Sequence, residues 1–195
     1  MFFHSLTLAV IIHNVSLKKM KKLILLFFTL SLLSFNSIAD WYLYDSESFK
    51  ISFPQKPVEE DKITQTLAGE IQVKTLTYKA QDVSEKNLRF FVSINEIPDA
   101  KKGELTKDEQ KTFLDAAING SVRNHKATLI SDEKITLGKF SGRQIKMSLN
   151  DNKIVANMKS YIVKNKYYGL IAYSTKQNDE NSEMVEFFKS FEIKP

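Results

Sequence analysis

Few side chains in this sequence could do chemistry, and their spacing decides how far each can be taken. Beyond residue 39 the only histidine is His125, set between Asn124 and Lys126 near the end of a helical pattern. A metal site needs several converging His, Cys or carboxylate groups, so a lone His there reads as a surface residue at a helix C-terminus. The acidic run Glu59-Glu60-Asp61 follows Pro57 and reads as a solvated loop with no more than weak cation affinity. Asp151-Asn152 and Asp179-Asn181 lack the spacing and the closing Glu of a calcium loop, so turn and capping roles account for them. With no cysteine, no G-x-S-x-G elbow and His125 as the one available base, triad chemistry is not expected. Nothing matches a P-loop or G-x-G-x-x-G pattern either. The expectation is therefore no catalytic set, no metal and no cofactor.

Aromatic residues are the remaining candidates. Trp41, Tyr42 and Tyr44 stand together near the start of the exported part, where a terminus is normally exposed, and so are the candidate binding residues. Phe91, Tyr161, Tyr168 and Tyr173 fall in strand patterns, where packing alone favours aromatics.

The segment preceding them reads as a leader. From Met20, a basic start (Lys21, Lys22) runs into the apolar stretch Leu23–Phe35 and then Ser37-Ile38-Ala39. Small residues at Ser37 and Ala39 match a signal-peptidase site, placing cleavage between Ala39 and Asp40. The apolar run of 13 residues is short of the about 20 that span a bilayer. An uncleaved anchor is the alternative, and would be the only membrane attachment. Residues 1–19 read as a gene-model artefact ahead of a true start at Met20, residues 20–39 as the signal peptide, and residues 40–195 as one domain. The localisation expected is periplasmic or secreted.

Cleavage also removes the apparent basicity. Taking Lys18, Lys19, Lys21 and Lys22 from the 28 basic residues leaves 24 against 23 acidic ones, a net charge of +1. The basic residues are scattered among acids, which excludes a nucleic-acid surface. Without disulfides the core must carry the fold, and 156 residues suffice for that.

The elements follow from period and punctuation. Phe49–Phe53 alternates and stops at Pro54. Ile63–Leu67 and Glu70–Lys79 read as a hairpin about Ala68-Gly69. Leu88, Phe90, Val92 and Ile94 share one face of the next strand, which ends at Pro98. Thr106-Lys107-Asp108-Glu109 is a capping box, opening a helix with Phe113, Leu114, Ala117, Ile118 and Val122 along its buried stripe. Gly120 is expected to loosen that helix's last turn. A four-strand meander follows (Ala127–Leu137, Phe140–Leu149, Ile154–Val163, Tyr167–Ser174) with short Gly-, Asn- and Asp-containing links. In the last of these, Tyr167 to Tyr173, both alternating faces are apolar or aromatic, so this strand is expected to be covered on both sides. A closing helix, Asp179–Phe191, is capped by Asn178 and presents Met184, Phe187, Phe188 and Phe191. Strands without regular βαβ alternation give an α+β fold: an antiparallel sheet of about six to seven strands flanked by two main helices.

Phe49-Lys50-Ile51-Ser52-Phe53-Pro54-x-x-Pro57 resembles the opening of PsbP-like domains. Tyr161-Ile162-Val163…Tyr167-Tyr168 and the ending Phe187-Phe188-Lys189-Ser190-Phe191 are similar to the same family's later motifs. The resemblance implies a PsbP-like α-β-α sandwich. Its relatives include an extrinsic photosystem II subunit, a Ran-binding nuclear transport factor and small exported bacterial proteins, which act by binding macromolecules. It carries no shared catalytic motif. The function expected is an exported, non-catalytic binding or accessory protein with a protein partner in the cell envelope or outside the cell. A carrier of a small ligand or lipid in a groove between sheet and helix is the alternative, followed by a hydrolase without a recognisable motif.

Overall fold

The computed structural model describes residues 41–66, 69–82, 85–97 and 104–195. These lie in one compact unit, Trp41–Pro195. The expectations for residues 1–39, the Ala39/Asp40 cleavage point, the Ala68 turn position and Pro98 lie outside the described residues.

Seven antiparallel strands form the main sheet, in the order β3-β4-β5-β9-β8-β7-β6. They are β3 (Val58–Thr66), β4 (Gly69–Lys79), β5 (Asn87–Glu96), β6 (Thr128–Leu137), β7 (Phe140–Leu149), β8 (Ile154–Val163) and β9 (Lys166–Thr175). The meander β6–β9 appears in the register its short links require. Gly138, Asn150, Asp151, Asn152 and Lys164 take the positive φ angles that turn it. β9 then docks antiparallel on β5, joining the two halves of the sheet at its centre.

β3 differs from what the sequence suggests. It begins at Val58, so Glu59-Glu60-Asp61 is strand and not loop. Pro57 ends the preceding segment, but Glu59, Glu60 and Asp61 pair with Leu76, Thr75 and Lys74 of β4. Charged side chains on an edge strand face water without breaking its ladder.

A second, three-stranded sheet is made by β1 (Tyr42–Asp45), β2 (Phe49–Phe53) and β10 (Glu192–Ile193), with β2 in the middle. Phe49, Ile51 and Phe53 point inward from β2, all nearly solvent-free. With Met184, Phe187 and Phe191 they cover one face of the main sheet, against Leu76, Phe90, Val92, Tyr168 and Leu170. The opposite face is covered by α1 (Lys107–Asn124), whose Leu114 and Ile118 meet Ile145, Met147, Ala156, Met158 and Ile171. Each such buried side chain contributes about 1.5–3 kcal/mol. The Thr106–Glu109 capping box forms with both of its bonds. α1 continues past Gly120 to Asn124, without a loosened last turn.

The closing helix, α2, is shorter than the sequence suggests: it spans Ser182–Lys189, and its N-cap is Asn181. Asn181 Oδ1 accepts from the backbone N–H groups of Glu183 and Met184 at 3.0 and 3.1 Å. Lys176–Asn178 forms a 3-10 turn instead, because Glu180 adopts φ +55° and breaks the path before α2 starts. Asp179 and Glu180 consequently serve Lys146 of β7 as ion-pair partners, outside the first turn of α2.

Gly142 shows how closely this layer is packed. A Cβ there would lie 2.5 Å from the Ser160 carbonyl oxygen and 2.5 Å from Tyr161 Cδ1. Its absence lets the Tyr161 ring lie across β7 and stack on Phe191, centroids 6.0 Å apart.

Candidate functional site

Trp41, Tyr42 and Tyr44 are brought to one edge of the molecule but given three different settings. Tyr42 and Tyr44 oppose Phe53 and Ile51 across the β1–β2 ladder, while Leu43 opposes Ser52 on the outer face. The Trp41 ring packs against Phe90 at 5.9 Å and is part of the core's margin. Tyr42 is 38% exposed and Leu43 51% exposed. Tyr44 stacks on Phe49 at 5.7 Å and points its hydroxyl across to β3.

That hydroxyl closes one side of an open cleft of about 610 Å³, where the Ser46–Phe49 corner faces the β3–β4–β5 end of the main sheet. Phe49, Ile71, Ile94 and Ile97 supply its apolar wall; Glu47, Asp61, Glu70, Lys74, Glu96 and Lys166 supply its charges. Tyr44 donates to Glu59 Oε2 at 3.0 Å, and Lys74 Nζ donates to Oε1 of the same carboxylate. Glu59 faces Leu76 in the ladder and Lys74 is two residues along β4, so the pair is diagonal on one face.

The electrostatics make this a fastening and not a reactive pair. The Lys74 ammonium beside Glu59 holds its carboxyl below the usual range. Burial, and then the bond to Glu59, push the Tyr44 phenol up. A carboxylate already accepting two hydrogen bonds is a weak base, and a phenol whose proton is held more tightly is a weak nucleophile.

His125 lies on the α1 side of the main sheet. Its Nδ1 donates to the Ser121 carbonyl at 2.9 Å, which leaves Nε2 to accept from the Tyr173 hydroxyl at 3.0 Å. Burial pushes the Tyr173 phenol up, the nearby Arg89 partly opposing it. The Arg89 guanidinium lies over the Phe91 ring at 4.8 Å and the Tyr173 ring at 5.9 Å. Both imidazole nitrogens are thus engaged in joining the C-terminus of α1 to β9. Among the described residues no three His or carboxylate groups converge as metal ligands.

Two features escape sequence reasoning. One is the Tyr44–Glu59–Lys74 fastening, which depends on Glu59 lying in a strand opposite β4. The other is a pocket of about 350 Å³ between β8 and α2, lined by Lys159, Lys189, Val185 and Phe188 among others. A signal for it exists: Lys159 interrupts the otherwise uncharged run Ile154–Val163, on the face that Tyr161 also occupies.

No protein-family model matches the sequence, and no curated protein matches it. Among solved structures, the chain is similar to that of cyanobacterial PsbP (CyanoP) from Synechocystis sp. PCC 6803. The two share 13% identity with a TM-score of 0.55, over 83% of this chain and 96% of that one. A fainter likeness, TM-score 0.39 at 8% identity, is to a protein of unknown function, PA94, from Pseudomonas aeruginosa, over 71% of this chain and 85% of that one. The class of protein defined here is an α+β sandwich on a mainly antiparallel sheet. More particularly, the chain has a PsbP-like fold.

Proposed function

We propose that this chain is an exported, non-catalytic binding and accessory protein that engages a protein partner in the cell envelope or outside the cell. Its contact surface is the pair of sheet edges β1 and β3. The observation that carries this reading is the apolar exposure along them: Leu43 is 51%, Val58 62% and Ile63 74% exposed, with Tyr42 beside them. Each of these strands pairs on one side only, so each also offers unpaired backbone donors and acceptors. The Tyr44–Glu59 hydrogen bond ties the two edges together, so a partner meets them as one surface. Charges at Glu59, Glu60, Asp61 and Lys62 interrupt the apolar positions and select against indiscriminate edge pairing. Export is supported by the Met20–Ala39 pattern, and the PsbP-like fold is compatible with a binding role.

Site-specific photocrosslinking in the native cells tests the surface. A crosslinker at Leu43 or Val58 should give a discrete adduct, while the same group at the exposed Lys134 of β6, on the far edge of the main sheet, should give none. No reproducible adduct at Leu43 or Val58, or equal adducts at Lys134, removes the edge as the interface. Intact mass of the isolated protein tests export: a chain beginning at Asp40 supports it, and a retained Met1 overturns it.

A further inference from the structure

The pocket between β8 and α2 has the wrong charge balance for a purely structural gap. Side chains alternate along β8, which puts Asn157, Lys159 and Tyr161 on the face that α2 covers. Lys159 is half-buried there, and its ammonium lies 5.3 Å from the centroid of Phe188. A ring face attracts the cation but leaves its charge uncompensated. Among the described residues no carboxylate lies within ion-pairing distance of Lys159, nor of Lys189, which lines the same pocket.

The nearby acids are already committed. Asp179 and Glu180 both pair with Lys146, which lies opposite Asn157 in the β7–β8 ladder. Asp179 also accepts from Asn157 Nδ2 at 2.8 Å. Neither Lys159 nor the exposed Lys189 has an ion-pair partner at the pocket, and burial holds the Lys159 ammonium below the usual lysine range. A desolvated cation left in that condition is costly, and an incoming anion relieves the cost. Met184, Phe188 and the 41%-exposed Val185, all from α2, form the apolar wall, Gln144 and Asn157 add uncharged polar groups, and Glu180, held by Lys146, is the one carboxylate at the rim. A volume of about 350 Å³ accommodates roughly a dozen heavy atoms, at about 30 Å³ for each water-sized group.

We propose that this pocket binds a monocarboxylate bearing an unbranched apolar tail, a free fatty acid of medium length, with its carboxylate on Lys159 and Lys189 and its tail along Met184, Val185 and Phe188. The site lies between β8 and α2 and does not depend on the β1–β3 contact surface.

Titration calorimetry with decanoate tests it, using protein purified as its own cells process it. Decanol supplies the same tail without the charge, and acetate the charge without the tail. Saturable decanoate binding is expected, with decanol and acetate each at least about tenfold weaker, the loss of one charge-assisted contact or of the buried methylenes. Lys159→Met keeps the stem over Phe188 and should weaken decanoate by a similar factor of about ten, while Lys159→Arg retains binding. Val185→Glu places a like charge at an exposed lip, where the fold tolerates it, and should also weaken decanoate. The proposal is overturned by no decanoate binding by folded wild type, equal binding of decanol, or decanoate binding unchanged by Val185→Glu. Unchanged binding in a folded Lys159→Met protein does so as well.

Discussion

Tyr44 and Glu59 are fifteen residues apart in sequence and 3.0 Å apart across two different sheets. Their hydrogen bond joins the edge of the small sheet to the edge of the large one, and Lys74 completes it from β4. The bond is exposed to solvent, so it positions the two edges more than it stabilises the fold. Tyr44→Phe keeps the stack on Phe49 and should cost no more than about 1 kcal/mol in urea denaturation. Acid titration should show the carboxylate. The Glu59 pKa is depressed in the folded chain, so its stabilisation is complete above the unfolded value of about 4.3 and is lost as pH falls through the folded one. Glu59→Gln should flatten that part of the stability–pH curve, and an unchanged curve would show that the bond does not form in solution.

Alkaline pH should weaken the protein through its buried phenols. Burial pushes Tyr167 up, and burial followed by a hydrogen bond to Glu85 pushes Tyr78 up. The folded state therefore keeps protons that the unfolded chain releases above about pH 10. Stability from these groups is fully present below that pH and falls as pH rises through the folded values. Denaturation midpoints at successively higher pH should decline, and Tyr78→Phe should reduce the slope. Tyrosinate absorbance should lag behind that of the unfolded chain over the same range.

The two asparagines before α2 can be separated by substitution. Asn181→Ala removes the cap from Glu183 and Met184 and the paired amide contacts with Asn87, at 3.0 and 2.8 Å. A cost of about 1–2 kcal/mol in equilibrium unfolding is expected. Asn178→Ala should cost less than about 0.5 kcal/mol, because only its backbone carbonyl accepts from Asn181. Equal costs would return the cap to Asn178.

Glycine substitutions should move stability in opposite directions. Gly142→Ala sets a methyl against the Ser160 backbone oxygen and the Tyr161 ring and should destabilise by roughly 1–3 kcal/mol. Gly120 lies within α1 with nothing inside 4 Å of an added Cβ. Gly120→Ala should stabilise by about 0.5–1 kcal/mol through helix propensity. Thermal midpoints of the two variants, measured against the parent, check both.

Most of the element order was legible in the residues. The meander, the strand Phe49–Phe53, the capping box at Thr106 and the apolar stripe of α1 are local signals, carried by alternation, by 3.6-residue spacing or by one cap. Short-range reasoning erred where two local readings compete. Glu59-Glu60-Asp61 is as polar as a loop, yet it lies on an edge strand whose outer side faces water. Asn178 and Asn181 are equally good caps by type, and the positive φ at Glu180 decides between them.

The candidate sites were far less legible. Residue types alone singled out Trp41, Tyr42 and Tyr44, but whether each ring packs, protrudes or bonds depends on which strand lies opposite. Likewise, Lys159 reads as an ordinary charged residue until β7, β8 and α2 converge and the available carboxylates are taken by Lys146. Periodicity and capping act within a few residues, and they determined the elements of this protein. Sheet order, register and the competition of charges for partners act between residues far apart in the chain, so only the tertiary structure decided which surfaces and pockets those elements leave open.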